Sequence, residues 1–190
     1  MLQWVLLLIG LLLVLVNAFF VAAEFGMVKL RHTKLATIKN TYGFRGRILA
    51  QVHKHLDTYL SACQLGITLA SLGLGWVGEP ALAQLLRPII GNYISPEMTA
   101  LLSFIIAFTI LSFLHIVIGE LLPKSLAIRQ SEKVSVWTAV PLYSFYWLMY
   151  PFIWSLNYCT SAILKGFKLH KVNKGEYAYT TEELQIGRAH

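Results

Sequence analysis

The stretch MTALLSFIIAFTILSFLHIVIGELLPK, Met98 to Lys124, decides the fold. No charged residue interrupts it from Met98 to Gly119, and about twenty apolar residues are what a helix needs to cross the hydrocarbon layer of a bilayer. Glu120 ends the run, and Pro123 and Lys124 follow after two leucines. A carboxylate at the edge of a membrane-length helix is costly unless something compensates it. The partners open to it are a cation, the Lys124 amine or a proton. Pro123 has no N–H, so it also leaves the carbonyl near Gly119 without its helical donor.

The rest of the chain is of the same kind. Of its 190 residues, 56% are hydrophobic and only 13% are charged, where a soluble domain has about a quarter charged. The mean hydropathy is +0.60. The reading is an all-α membrane protein. A second apolar run, Leu2 to Val28, holds Glu24 as its one charge and is too long and too weakly flanked by basic residues for a cleaved signal peptide. Residues 1–28 are therefore expected to be the first transmembrane helix, 58–78 the second and 98–121 the third, with 79–97 an external loop or short helices. Cys63 and Cys159 lie in apolar stretches with no disulfide or metal spacing, and read as packing residues.

A fourth apolar region, Val134 to Phe167, is different. Pro141 and Pro151 break it into pieces, and Trp137, Tyr143, Tyr146, Trp147, Tyr150, Trp154 and Tyr158 crowd it. Such aromatics favour the border between water and lipid. Residues 122–170 read as a kinked juxtamembrane belt, a helix pair that does not span.

Charge sets the topology. Lys29, Arg31, Lys34, Lys39, Arg45, Arg47 and Lys54 make residues 29–57 a basic connector, cytoplasmic by the positive-inside rule, with a helix broken near Gly43. The amino terminus is then outside and the carboxyl terminus cytoplasmic, in a multi-pass protein of the cell membrane. All of the sixteen Lys and Arg residues but Arg87 fall on the cytoplasmic side if 134–167 does not cross. The net charge of +7 thus reflects topology and contact with anionic lipid, not nucleic acid. Residues 171–190 carry a Thr-x-x-Glu capping pattern at Thr180 and Glu183 and read as the start of a linker.

Each of the three spans carries a polar stripe. Asn17, Val21 and Glu24 share a face of the first by spacing; Ser61, Gln64, Thr68 and Ser71 share one on the second; Ser112, His115 and Gly119 share one on the third. A lone intramembrane hydroxyl usually bonds its own i−4 carbonyl, but the two acids need another partner. Glu24 has Lys29, Arg31 or an ion within reach. Carboxylates, hydroxyls, amides and bare carbonyls, with Gly66 and Gly119 admitting close approach, are the donors of a hard divalent cation such as Mg²⁺. His115 reads first as a hydrogen-bonding residue between helices. No nucleophile, phosphate loop or zinc motif is present, so the chain is not read as an enzyme.

In three segments the chain resembles the membrane domain of the CNNM/CorC magnesium transporters, which carry haemolysin-like names in bacteria. These are Asn17-Ala-Phe-Phe-Val-Ala-Ala-Glu-Phe-Gly26, Leu60-Ser-Ala-Cys-Gln-Leu-Gly-Ile-Thr-Leu-Ala-Ser71 and Gly119-Glu-Leu-Leu-Pro-Lys124. The resemblance implies a homodimer with three spans, an aromatic belt and following cytoplasmic CBS-type regulatory domains able to bind nucleotide. It places a Mg²⁺ site at Gly119 and Glu120, with Gly66, Thr68 and Ser71 from the second helix and Glu24 from the first. Val21 stands where many members have a small hydroxyl residue, which Asn17 or a backbone carbonyl replaces. It also implies alternating access and export coupled to Na⁺. Two other readings compete: a membrane anchor or sensor for an attached domain, and a pore former, which the short stripes do not favour.

Overall fold

The computed structural model describes residues 1–92 and 94–166. The chain divides into two compact units, Met1–Ile153 and Trp154–His190. Helix α1 runs Leu2–Lys29. A 3₁₀ turn at His32–Lys34 leads to α2, Leu35–Thr41, and α3, Gly43–Lys54. Then come α4, Leu56–Gly73, a π-helical segment at Leu74–Gly78, and α5, Glu79–Ile90. The last part is α6, Pro96–Leu114, a second π segment at His115–Leu121, α7, Leu122–Arg129, α8, Ser131–Leu148, and α9, Tyr150–Gly166. There is no strand among the described residues. Three continuous helices are long and apolar enough to cross a membrane: Leu2–Lys29, Leu56–Ile90 and Pro96–Arg129.

α1 is the axis of the first unit and packs on α4, α7, α8 and both π segments. Its buried face, Gly10, Val14, Asn17 and Val21, follows the i, i+4, i+7, i+11 rule of a helix in contact on one side. Leu8, Leu11, Leu12 and Leu15 stay exposed, the side chains that hydrocarbon would cover. Small residues bring the helices together where lipid offers no hydrophobic drive. A Cβ on Gly10 would lie 3.3 Å from the Cα of Gly78, and one on Gly66 would lie 2.5 Å from the ring of Phe20.

The structure departs from the sequence reading in several places. Of the loop or short helices expected over 79–97, residues 79–90 form a helix, α5, which continues the second long helix through the π segment to Ile90. Pro80 sits in the first turn of α5, where its missing N–H costs little. Pro141 does not split the aromatic region; it lies inside α8, and the break comes at Met149, just before Pro151. The third helix passes Glu120 and Pro123 and continues to Arg129. Nor are the aromatics all at a surface. Tyr143 and Tyr146 pack on Tyr59 of α4 and Phe145 packs on Phe20 of α1, whereas Trp137, with Arg45 4.0 Å over its ring, is exposed. Trp147 and Tyr150 remain exposed.

The basic connector is a packed element. Ile38, Leu49 and Val52 join Met27, Val136, Ala139 and Leu142 in the core, and Lys34 reaches Glu132 at 3.2 Å. Its helices part at Tyr42–Gly43, where Gly43 takes a φ of +51°, a left-handed value that suits glycine. In the second unit Trp154 stacks on Tyr158 within the same helix, and Cys159 is exposed, whereas Cys63 in the first is buried as expected of a packing residue. The end of the expected belt, residues 167–170, and the Thr180–Glu183 pattern lie outside the described residues.

Candidate ion-binding site

The polar stripes of the three long helices meet at one place. Asn17 of α1, almost wholly buried, donates from Nδ2 to the Gly119 carbonyl at 2.9 Å. Ser71 of α4 donates to Asn17 Oδ1 at 3.3 Å and lies 3.4 Å from His115 Nε2. Ser71 has one hydroxyl proton, and it goes to Asn17, so His115 Nε2–H is the donor to Ser71. A single directed chain of hydrogen bonds therefore runs His115, Ser71, Asn17, Gly119, and it ties all three spans together.

Local backbone chemistry explains why the chain ends at Gly119. Its α-helical donor would be the N–H of residue 123, which is proline. The π segment opens the backbone there, and the amide of Asn17 fills the gap. A Cβ at residue 119 would come within 3.2 Å of that amide nitrogen and 3.0 Å of the His115 ring, so any larger residue would press on both side chains.

The other expected residues are placed differently. Ser61 and Thr68 return their hydroxyls to their own i−4 carbonyls, Asp57 at 3.2 Å and Gln64 at 2.8 Å. Gln64 and Thr68 face out of the single chain. Gly66 is buried, and the Phe20 ring lies where a side chain on it would begin. Val21 is buried, Glu24 is half-buried and Glu120 is exposed. The residues singled out by spacing thus resolve into a joined set, Asn17, Ser71, His115 and Gly119, and an outlying one, Ser61, Gln64, Gly66 and Thr68.

The Lys124 amine does not pair with Glu120 in the structure; the ion pair seen near this end of the helices is Lys34–Glu132. The Lys124 amine instead lies 4.5 Å over the Phe25 ring. No group of three His, Cys, Asp or Glu side chains gathers among the described residues, which leaves the oxygen atoms of Asn17, Ser71 and Gly119 as the clustered donors. Spacing alone does not show either π segment, although Pro123 four residues after Gly119 is a sign of the second. It also missed Glu79, which opens α5 directly after the first of them.

The comparison with known proteins decides the family. The model of the cyclin M (CNNM) transmembrane N-terminal domain matches residues 8–186. The chain belongs to the CNNM family. Among curated relatives of this CNNM chain, the UPF0053 protein YrkA of Bacillus subtilis (strain 168) is 44% identical over 92% of the chain and 41% of its own length. The UPF0053 protein YugS of the same organism is 42% identical over 90% of the chain and 40% of its own length. The uncharacterized protein Rv1841c of Mycobacterium tuberculosis is 33% identical over 93% of the chain and 50% of its own length. The chain thus spans about half or less of the length of these relatives. Three spanning-length helices and the family match make it a CNNM membrane domain.

Proposed function

We propose that this domain transports Mg²⁺ across the cell membrane, as an exporter coupled to Na⁺, working as a homodimer with its amino terminus outside. The observation that carries the reading is the convergence of Asn17, Ser71 and Gly119 from three different spans. Their oxygens are hard donors, held in one cluster next in sequence to Glu120. Mg²⁺ takes such oxygens and sheds its water reluctantly, so a full negative charge must face it. Glu120 supplies that charge, and the half-buried Glu24, seven residues beyond Asn17, supplies a second.

The hydrogen-bonded relay then becomes a switch. Without an ion, Asn17 caps the Gly119 carbonyl and Ser71 caps Asn17. With one, the metal replaces those protons, and a shift of α1 against the π segment exposes the site to one side or the other. Gly66 and Thr68 belong to such a rearranged site only after Phe20 has moved. Cytoplasmic domains after the membrane part, of the nucleotide-binding CBS type, would bias that shift.

In liposomes loaded with a Mg²⁺ indicator, Glu120→Gln should abolish flux while leaving the assembled protein intact by gel filtration. Flux at the unsubstituted rate in that variant removes the transport reading. The anchor or sensor reading draws on the self-satisfied hydroxyls of Ser61 and Thr68; it expects no flux in the unsubstituted protein either.

A further inference from the structure

A cavity of about 150 Å³ lies between α4 and α6, lined by Ser71, Glu79, Phe108, Leu111, Ser112 and His115 among others. It offers room for several water molecules and polar groups to hold them. Ser71 and His115, which line it, belong to the relay itself. Glu79 is half-buried, follows the first π segment, and has no hydrogen bond or ion pair among the described residues. A carboxylate in that position, close to a spanning helix, is expensive without a counter-charge.

Chain direction separates this acid from the others. Along α4 and the π segment, Glu79 lies eight residues past Ser71, a helical rise of about 12 Å toward the end of the bundle where α6 begins. Along the third helix, Glu120 lies five residues past His115, toward the opposite end. The relay therefore stands between the Glu79 cavity and the Glu120 side.

We propose that this cavity is a second cation subsite, in which Glu79 holds a hydrated divalent cation through its water shell, with Ser112 and Ser71 as further hydrogen-bond partners. One carboxylate cannot strip Mg²⁺, which keeps several waters when protein ligands are few; the cavity volume accommodates them. The inference rests on the transport reading, for which the subsite is the outer stop, and it assigns to Glu79 a task separate from that of Glu120.

Hexaamminecobalt(III) tests it, because its ligands do not exchange and it mimics a hydrated divalent ion that cannot enter a dehydrating site. Its binding to the full-length protein in lipid nanodiscs is measured by calorimetry. Removing the one formal charge should weaken binding about tenfold or more in Glu79→Gln, and Glu79→Asp should stay within about threefold. Ser112→Trp, which fills the cavity without touching the acid, should lose binding, and Glu120→Gln should leave it unchanged. The proposal is overturned if the unsubstituted protein does not bind the complex, if Glu79→Gln binds it as well as the parent, or if the loss falls on Glu120→Gln instead. Should Glu79→Gln fail to assemble, the pair Glu79→Asp and Ser112→Trp decides: retention by the first and loss by the second support the subsite, and equal behaviour sinks it. Mg²⁺ flux that survives in Glu120→Gln counts against the transport reading and leaves the hexaammine result to judge the subsite.

Discussion

Asn17 carries more of the architecture than any charged residue in the chain. Its side chain is 1% exposed and both ends of its amide are used, the nitrogen on Gly119 and the oxygen on Ser71. Asn17→Ala leaves the Gly119 carbonyl buried with no donor, a cost of about 1–3 kcal/mol. Denaturant unfolding in detergent should register that loss, and an unchanged midpoint would refute the relay. His53, in the basic connector outside the long helices, makes a second residue-scale prediction. Burial pushes its pKa below the ordinary 6.5, the neighbouring His32 pushes the same way, and the Leu30 carbonyl opposes them in part. The unfolded chain therefore binds the proton more readily than the fold, and stability rises with pH in that range. Stability should be full above about pH 6.5 and be lost as pH falls through the folded value. A melting temperature that drops from pH 7.5 to pH 5, with the slope flattened in His53→Leu, is the expected result.

Among the elements, the second π segment is the one whose geometry follows from a single proline. Pro123→Ala returns an N–H to the backbone four residues after Gly119, so that carbonyl regains an in-helix donor and no longer needs Asn17. The two sites should then be coupled: Asn17→Ala in the Pro123→Ala background should cost less than alone, with an interaction energy of about 0.5–3 kcal/mol in a double-mutant cycle. Additive effects would show that Asn17 and Pro123 do not share the Gly119 carbonyl. The contact of α1 with α4 rests on another single residue. A methyl group at Gly66 collides with the buried Phe20 ring, an overpacking that costs about 1–3 kcal/mol. Gly66→Ala should lower the melting temperature, and adding Phe20→Leu should restore part of it. The Ser61, Gln64, Thr68, Ser71 stripe shows why such contacts were hidden in the sequence. At 100° per residue Gln64 lies within about 20° of Ser71 around the helix yet stays exposed, so the position along the axis, level with Asn17 and His115, singles out Ser71 and not the spacing.

For the molecule as a whole, the testable matter is which end faces which side. With Cys63 and Cys159 replaced by serine, a cysteine at Arg47 should be labelled by an impermeant maleimide only from the cytoplasm, and one at Gly91 only from outside. Reversed labelling would overturn the topology that the basic connector implies. The sequence by itself determined the membrane class, the three long helices and the presence of acids at their ends, because hydropathy and charge are summed along the chain and need no neighbour to be read. It also marked Gly119, through the proline four residues on. Only the tertiary structure decided which stripe members meet, since that depends on how each helix is rotated about its axis and on which small residues let it approach. It set Phe20 against Gly66, Asn17 against Gly119 and Ser71 against His115. By running the second helix on to Ile90, it also brought Glu79 to a cavity, where the sequence left a loop or short helices open.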